Sequence, residues 1–318
     1  MSMQEKYDVL CAGIAAVNFP IMPVDEGIFA RDLTQVRPME LLPGGDAVNQ
    51  AIVLSRLGFR PVLSARCGGD MFGRMLRDLI EKYGDGVSFE GLTCTGDVAT
   101  SVGAMLIRPD GQRHFCSHRS ATNAFCYQDI PGELVRRARI VSIGGLMALP
   151  SFDGEGSARL FCEAKAAGAV TVADTKFDLK GIGLAGIRET LRYTDYFFPS
   201  YDEAKAIAGK EEPEAMAEVF LQAGARHVGI KLGEKGCYAH DGRKAFSLPA
   251  LESTVVDTTG AGDHFMAGFI AGLLQNKPME DCAALGTACG ALCVATVGPC
   301  TAVNSMAQVE ALMKGAVQ

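Results

Sequence analysis

The spacing of apolar residues along the chain predicts an alternation of strands and helices. Residues 7–15 are almost continuously apolar, which is typical of a strand that is covered on both faces. Residues 47–58 place apolar side chains on one helical face and end in a glycine, so they predict a helix. The rhythm continues with a predicted strand at 61–67 and a helix that begins near Gly69 and runs to about Tyr83.

From residue 138 onward this alternation becomes regular. The predicted strands are 139–144, 169–174, 195–198, 227–232 and 237–240. The predicted helices are 157–167, 184–192, 202–208, 213–223, 262–275, 279–296 and 306–314. Repeated strand–helix units indicate an α/β fold whose mostly parallel sheet is covered by helices on both faces.

Residues 93–120 break the alternation, because they predict strands without helices between them. Residues 100–107 and 113–117 predict a hairpin whose turn contains Pro109, Asp110 and Gly111. Residues 18–43 are rich in proline and mixed in charge, so they predict an irregular segment. We therefore expect the hairpin to belong to a small sheet outside the main one.

Length and composition are those of an ordinary soluble domain. The 318 residues carry a net charge of −7, and no basic cluster is present, so we expect neither nucleic acid nor an anionic membrane as a partner. The uncharged stretch 282–309 contains Gly298 and Pro299, and its apolar part is too short to span a bilayer. The first apolar run also lacks the features of a secretion signal, and we expect a cytoplasmic protein.

The cysteines and histidines do not predict a metal site. None of the eleven cysteines forms a C-x-x-C pair, so we expect free thiols that pack as small hydrophobic side chains in a reducing compartment. His114 and His118 lie four residues apart, but no acidic or cysteine residue follows at a metal-site spacing. We interpret both histidines as surface residues or residues of a lid.

Residues 257–268 carry the clearest chemical signal. Gly260, Ala261 and Gly262 precede an apolar helical run, and Asp263 follows them directly. Backbone N–H groups at a helix N-terminus bind phosphate, whereas a carboxylate at the same place can accept the proton of an attacking hydroxyl. This order favours phosphoryl transfer to an alcohol. The alternative is a tight turn in which Asp263 only complements the helix dipole.

Several motifs together resemble the PfkB, or ribokinase-like, family of carbohydrate and nucleoside kinases, and the resemblance covers nearly the whole chain. Residues 44–51 (GGDAVNQA) are similar to the family's N-terminal signature, and residues 257–268 are similar to its C-terminal signature. Between them, in the expected order, lie Gly69-Asp70 with Gly73, Pro199 with Glu203, and residues 231–236. The resemblance implies a single ribokinase-like domain over residues 1–318. It also implies a doubly wound central sheet and a small β lid formed by residues of about 18–40 and 93–120.

The resemblance also implies roles for individual residues. Asp263 would be the general base, and Gly260, Ala261 and Gly262 would hold the charge of the transferring phosphate. The implied acceptor site consists of Asn18, Gly44, Gly45, Asp46 and Asn49. The implied ATP site consists of Ser200, Lys231, Gly233, Gly236 and Cys289.

Metal ions and the lid complete the implied site. Glu203 would orient water on Mg²⁺, and Asp257 and Thr259 are implied candidates for binding a monovalent cation such as K⁺. Arg113 and Arg119, both in the hairpin region, are either lid contacts or ordinary exposed arginines.

The chain departs from the family pattern at several of these positions. Asn18 stands where the family often has an aspartate that grips substrate hydroxyls, and Asp25 is a candidate to compensate. Ser200 and Cys289 each replace an asparagine, and the family's Asp-x-Asn reads Asp174-Thr175-Lys176. These substitutions bear on the substrate and the phosphate donor and leave the type of reaction unchanged.

Three functions remain to be compared. The leading hypothesis is ATP-dependent phosphorylation of a sugar, sugar acid or polyol. A nucleoside kinase of the same fold is the nearest alternative, since Phe19 and Phe115 could stack on a base. We favour the other interpretation of these two residues, that they pack in the core of the lid. A sensing protein without catalysis has no need of Asp263, and a nicotinamide-dependent oxidoreductase would need a G-x-G-x-x-G turn that the chain lacks. Exposed edges of the small sheet favour a homodimer.

Overall fold

The computed structural model describes residues 6–315 and places most strands in one large sheet. In spatial order its nine strands are β13 (Ala245–Leu248), β12 (Cys237–His240), β11 (His227–Lys231), β10 (Tyr196–Phe197), β9 (Val170–Thr175), β8 (Ala138–Leu146), β1 (Tyr7–Gly13), β4 (Pro61–Gly68) and β5 (Ser88–Thr95). All neighbouring pairs from β11 to β5 are parallel, and β12 and β13 are antiparallel. The predicted, mostly parallel sheet is therefore confirmed.

A second, four-stranded sheet stands apart from the first. Its order is β3 (Leu42–Gly44), β2 (Ala16–Ile21), β6 (Val102–Ile107) and β7 (Arg113–His118). We call it the small sheet; β2 and β6 pair in parallel, and the two outer pairs are antiparallel. The predicted hairpin is present as β6 and β7. Residues 93–95 belong to β5, so part of the second predicted lid segment lies in the large sheet.

Helices cover both faces of the large sheet. They are α1 (Asp46–Arg56), α2 (Met71–Tyr83), α3 (Ser120–Ala124), α4 (Gly132–Arg137), α5 (Glu155–Ala166), α6 (Gly183–Arg192), α7 (Tyr201–Ala208), α8 (Pro213–Ala223), α9 (Ala261–Leu274), α10 (Met279–Val294) and α11 (Met306–Met313). Alternate residues of β1 enter two separate hydrophobic clusters, one containing α1, α9 and α10 and the other containing α5 and α8. This two-sided burial explains why the strand is apolar throughout. No helix within residues 6–315 is long and apolar enough to cross a bilayer.

The predicted strand 7–15 is interrupted, and the interruption helps to form the site. Gly13 has a φ of +142°, and a Cβ atom there would lie 2.1 Å from the carbonyl oxygen of Gly144. The chain leaves the large sheet at this glycine and enters the small sheet at Ala16. Asn18 therefore belongs to the small sheet although it lies only five residues beyond β1.

The expectation that all cysteines are free is wrong for one pair. Cys67 in β4 and Cys94 in β5 are register partners on neighbouring parallel strands, and the structure joins them as a disulfide. A separation of 27 residues hides this proximity in the sequence, because only the pairing of the two strands brings the side chains together. The other nine cysteines are thiols, six of which are buried.

Candidate active site

The start of α9 forms the centre of the candidate site. Gly260 adopts a left-handed conformation with a φ of +80°, and a Cβ atom there would lie 2.6 Å from the carbonyl oxygen of Pro299. Only glycine fits both constraints. The helix then begins at Ala261, which places Gly262 and Asp263 in its first turn. The predicted helix start is thus confirmed, whereas the phosphate-binding role of these amides stays a prediction.

Asp263 is almost completely buried beside an asparagine and a second carboxylate. Asn49 Nδ2 donates a 2.6 Å hydrogen bond to Asp263 Oδ2 from α1. Burial and the charge of Asp46 raise the pKa of Asp263 to about 7, although Lys176 and the Asn49 hydrogen bond act in the opposite direction. A carboxylate with a pKa near neutrality is well matched to accepting a proton at physiological pH.

Asp46 is held in an ion pair that the sequence analysis did not predict. Lys176 Nζ lies 2.7 Å from Asp46 Oδ1, while Asp46 Oδ2 is buried and has no hydrogen-bond partner among residues 6–315. Burial disfavours the charged lysine, but Asp46 and Asp263 outweigh this effect and raise the pKa of Lys176. Lys176 was recognised only as a departure from the family pattern. The 130 residues between lysine and aspartate explain why no local signal reveals the pair.

Two cavities meet at Asp263. The smaller cavity has a volume of about 620 Å³ and lies between the large and small sheets. The larger cavity, of about 870 Å³, extends along the ends of β9 and β11 towards α7 and α8. Four residues line both: Arg113, Lys176, Gly260 and Asp263. The candidate base therefore stands at the junction of two separate binding spaces.

The smaller cavity collects most of the predicted acceptor residues. Asn18, Gly45, Asp46 and Asn49 line it. Gly44 does not: it lies behind Asn18, and a Cβ atom at Gly44 would fall 2.0 Å from Asn18 Nδ2. Glycine at position 44 thus gives the Asn18 side chain its space.

Aromatic and basic side chains of the hairpin region form another part of this wall. Phe115, Arg113 and Arg119 all line the smaller cavity, as does Phe177 from the loop after β9. Phe19, which was considered as a stacking residue, instead packs edge-on against Phe72 with 6.0 Å between ring centroids. It is absent from the cavity wall, so Phe115 and Phe177 are the exposed rings available there.

The larger cavity is built around carboxylates that are tied to neighbouring groups. Lys231 Nζ lies 2.5 Å from Asp174 Oδ1, and burial raises the pKa of Asp174 to about 6 despite this lysine. Glu203 Oε2 accepts hydrogen bonds from the Thr175 hydroxyl and the Ser200 backbone N–H, both at 2.9 Å. Ser200, Glu203, Lys231 and Gly233 all line this cavity, as the predicted nucleotide and metal roles require.

Two predicted nucleotide contacts lie elsewhere. Cys289 is completely buried in α10, close to Gly268, where a Cβ atom would approach its sulfur to 2.8 Å. Gly236 has a φ of +88°, and a Cβ atom there would lie 1.9 Å from the carbonyl oxygen of Leu248. The first residue fills the core and the second allows close packing of β12 and β13. Neither lines the larger cavity, so the structure does not bring these two residues together with the other predicted nucleotide contacts.

Asp257 and Thr259 form a buried turn just before Gly260. Asp257 Oδ1 accepts hydrogen bonds from the Thr259 backbone N–H at 2.9 Å and from its hydroxyl at 2.6 Å. Asp257 Oδ2 accepts from the Gly298 N–H at 3.0 Å. These bonds fix the entry into α9, and a monovalent cation at this turn stays a prediction. Within residues 6–315 no group of three or more His, Cys, Asp or Glu side chains is arranged to hold a metal ion.

The two hairpin-region arginines occupy defined places. Arg113 Nη1 donates to the Thr258 hydroxyl, which links the small sheet to the turn before α9. Arg119 Nη2 donates to the Ala148 carbonyl oxygen at 2.5 Å, and its guanidinium lies over the Phe177 ring. Both were left as either lid contacts or ordinary surface residues. Both side chains line the smaller cavity, and each is held by a contact with a distant segment of the chain, which only the tertiary structure reveals.

Comparison with known proteins relates this architecture to a group of kinases. Residues 7–306 match the family described as pfkB family carbohydrate kinase. Fructokinase-2 from Oryza sativa subsp. japonica is 26% identical over 289 residues, which cover 86% of this chain and 85% of the relative. A nucleoside kinase from Methanothermobacter thermautotrophicus is 26% identical and covers 93% and 92% of the two chains.

A solved structure agrees in fold along its length. The ribokinase of Arabidopsis thaliana, determined as a complex with ribose and ATP, superposes with a TM-score of 0.79 at 25% sequence identity. The alignment covers 97% of this chain and 99% of the ribokinase chain. The large sheet with its flanking helices and the small sheet therefore form a ribokinase-like fold.

Proposed function

Since the chain belongs to the pfkB family of carbohydrate kinases, we propose that it transfers the γ-phosphoryl group of ATP to a hydroxyl of a sugar, sugar acid or polyol. Family membership makes the chain a phosphotransferase with an alcohol group as acceptor. The observation that carries the proposal is the position of Asp263 at the junction of two cavities. A reaction between two substrates requires such a junction, where the attacking hydroxyl and the phosphoryl group can meet.

Asp263 acts as the general base in this proposal. Its carboxylate accepts the proton of the attacking hydroxyl while the oxygen of that hydroxyl bonds to the γ-phosphorus. The bond from this phosphorus to the β,γ-bridging oxygen breaks, and ADP leaves with that oxygen. Asn49 holds one carboxylate oxygen by its 2.6 Å hydrogen bond and leaves the other free to face the acceptor. Since burial raises the pKa of Asp263 to about 7, the carboxylate is a stronger base than an exposed aspartate.

The first turn of α9 stabilises the charge that is transferred. The N–H groups of Gly260, Ala261 and Gly262 lie at the positive end of the helix dipole, which favours phosphate oxygens. Each donor preorganised in this way contributes a factor of up to ~10²–10³ in rate. The glycines leave the backbone uncovered, so a phosphoryl group can approach it closely.

The larger cavity takes the nucleotide in this proposal. Lys231, Ser200 and Gly233 line it, and its many carboxylates fit a polyphosphate that arrives with Mg²⁺. When bound, Mg²⁺ neutralises part of the negative charge on the phosphate oxygens. Glu203 is positioned by Thr175 and Ser200 to orient water on that ion, which fits the preference of Mg²⁺ for retaining part of its hydration shell.

The smaller cavity takes the acceptor. Asn18 can both donate to and accept from a hydroxyl. Asp46 Oδ2 is buried without a partner, so it is available to accept a hydroxyl hydrogen. The small sheet would act as the lid over this cavity, excluding water that would otherwise take the phosphoryl group. Pairing of its exposed edges between two copies of the chain would form the homodimer.

A nucleoside acceptor is the second candidate. Phe115 and Phe177 are 37% and 52% exposed, and both line the smaller cavity. Exposed aromatic rings could stack on a nucleobase. Such stacking does not depend on which base the nucleoside carries, because every base has a π face. The nucleoside kinase relative makes this alternative specific enough to test beside the sugars.

The decisive experiment is a coupled assay of ATP consumption with Mg²⁺ over a panel of sugars, sugar acids, polyols and nucleosides. We expect one acceptor class to drive turnover, and we expect Asp263→Asn to lower that turnover by ~10²–10⁴ while acceptor binding changes little. Equal activity in the wild type and the variant would contradict the assignment of the base. ATP binding without turnover on any acceptor would favour the sensing role instead.

A further inference from the structure

Arg119 lacks an anionic partner although it lines the smaller cavity. Within residues 6–315 its hydrogen-bond acceptor is the neutral Ala148 carbonyl, and its Nε is buried without any partner. Its guanidinium lies 5.5 Å from the centroid of the Phe177 ring. The carbonyl and the ring hold the side chain in place. Neither of them neutralises its charge.

The two carboxylates near Arg119 contact other groups, and within residues 6–315 neither forms an ion pair with it, although Asp46 Oδ2 keeps its capacity to accept a hydrogen bond. Burial lowers the pKa of Arg119, and the charges of Asp46 and Asp153 oppose this effect without making an ion pair with it. Asp46 is paired with Lys176. Asp153 accepts hydrogen bonds from the backbone N–H groups of Met147 and Leu149 at 2.8 and 2.7 Å. Asp153 therefore fixes the turn that carries the Ala148 carbonyl rather than neutralising the arginine.

The position of Arg119 separates it from the reacting groups. Arg113 and Lys176 line both cavities and thus stand near Asp263, whereas Arg119 lines the smaller cavity only. A partly buried guanidinium without a counter-ion is costly unless a ligand supplies one. The planar fork of arginine matches the oxygens of a carboxylate or phosphate.

We propose that the acceptor carries an anionic group, a carboxylate or a phosphate, which pairs with Arg119 away from the hydroxyl that is phosphorylated. This inference rests on the proposed kinase activity and narrows its acceptor to polyhydroxylated anions. The cavity volume of about 620 Å³ is ample for a six-carbon sugar acid or sugar monophosphate.

Matched pairs of acceptors test the charge directly. D-gluconate is compared with D-glucitol, and D-fructose 1-phosphate is compared with D-fructose. The hydroxymethyl group at carbon 6 is free in the first pair, and in the furanose forms of the second pair. We expect the wild type to prefer an anionic member by roughly 10–100-fold in kcat/KM, as a charge-assisted hydrogen bond would give. A preference for gluconate identifies a sugar acid, and a preference for the phosphate identifies a sugar phosphate.

Variants of Arg119 separate this role from folding. Arg119→Met should abolish the preference, so that kcat/KM for the anionic member of each pair falls to about that of its neutral partner, because the charged contact is lost. Arg119→Lys keeps a positive charge without the fork and should retain part of the preference. Arg108→Met is the matched control, since Arg108 is an exposed arginine after β6 that pairs with Glu26 and Asp110 outside this cavity.

The outcomes distinguish this inference from the kinase proposal. Turnover that favours the neutral members, or a preference that survives in Arg119→Met, would overturn the inference and leave the kinase intact. Absence of turnover with every acceptor would count against the kinase activity. Calorimetric titration of the same four compounds would then test anion binding without catalysis. Binding of an anion that depends on Arg119 supports the inference, and its absence overturns it.

Discussion

The two cavities that meet at Asp263 differ in the charge of their walls. Seven carboxylates and four cationic side chains line the larger cavity, whereas two carboxylates and three arginine or lysine side chains line the smaller one. An acid-rich wall repels a bare polyphosphate, so in the proposed reaction the nucleotide would enter this cavity together with a divalent cation. The smaller cavity has an excess of fixed positive charge and can neutralise an anion with its own side chains.

The difference in wall charge indicates two ways in which one site could neutralise anionic substrates. In the larger cavity, a divalent cation that arrives with the nucleotide would neutralise the charge of the phosphates. In the smaller cavity this neutralisation would be supplied by a side chain of the protein, Arg119, which lines that cavity alone. If this division is correct, changes in one cavity should alter the kinetics of one substrate, and only changes at the junction should alter both.

The largest expected effect concerns the junction itself. Because Asp263 must be ionised to act as a base and its pKa is raised to about 7, kcat/KM should fall as the pH drops through that value. A single titration lowers the rate about tenfold per pH unit, so activity at pH 5 should be about 100-fold below the plateau. The measurement is kcat/KM from pH 5 to 9. A flat profile between pH 5 and 8 would refute the assignment.

A change confined to the larger cavity should affect the metal. Glu203→Gln removes the charge that would orient water on Mg²⁺ in the proposed site, and outer-shell partners of this kind typically contribute ~10–100-fold in metal affinity. We expect the Mg²⁺ concentration for half-maximal activity to rise by about that factor, with KM for the acceptor unchanged. Glu234→Gln removes another carboxylate of the same wall as the control. Equal responses of both variants would show that total wall charge, rather than Glu203, governs metal binding.

A change confined to the smaller cavity should affect the acceptor. Asn18→Ala removes a side chain that would contact the acceptor in both the ground and transition states, so KM for the acceptor should rise about tenfold. The values of kcat and of KM for ATP should stay within about twofold. Cys116→Ser, an exposed position on β7 outside the cavity wall, is the control. A rise in KM for ATP alone would show that Asn18 does not serve the acceptor.

The smallest expected effect is a shift of the pH profile by the neighbours of Asp263. Lys176 lowers the pKa of Asp263 and Asp46 raises it. Lys176→Met should therefore move the midpoint of the profile to higher pH, and Asp46→Asn should move it to lower pH, each by about one unit. Both variants also lose overall activity because both residues line the smaller cavity. Shifts in the same direction would contradict the electrostatic account.

Local patterns predicted much of the architecture and the centre of the site. The apolar spacing predicted most strands and helices, and the glycines before Asp263 predicted where α9 begins. Helix starts and tight turns depend on residues that are neighbours in the sequence, so a local pattern can predict them. The strand β13 was missed, since its four residues carry little periodic signal.

Contacts between distant segments could not be predicted in the same way. The Asp46–Lys176 pair and the Cys67–Cys94 disulfide depend on strand order and register, which one sequence does not specify. Cys289 was assigned to the nucleotide by its position in the family pattern, but its side chain points into the core. The importance of Arg119 follows from the lack of a counter-ion, and that property exists only in three dimensions.

The burial of α9 has a consequence for how such an enzyme can change. Every residue from Asp263 to Gly272 is buried, and Gly268 and Gly272 bring the helix so close to α10 that a Cβ atom at either would fall 2.8 Å from a cysteine of that helix. Asp263 therefore cannot move without disturbing the core. The small sheet is different, since all six residues of β7 are exposed. Substitutions in β7 should therefore cost little stability. The acceptor preference could then change during evolution while the residues around Asp263 stay the same.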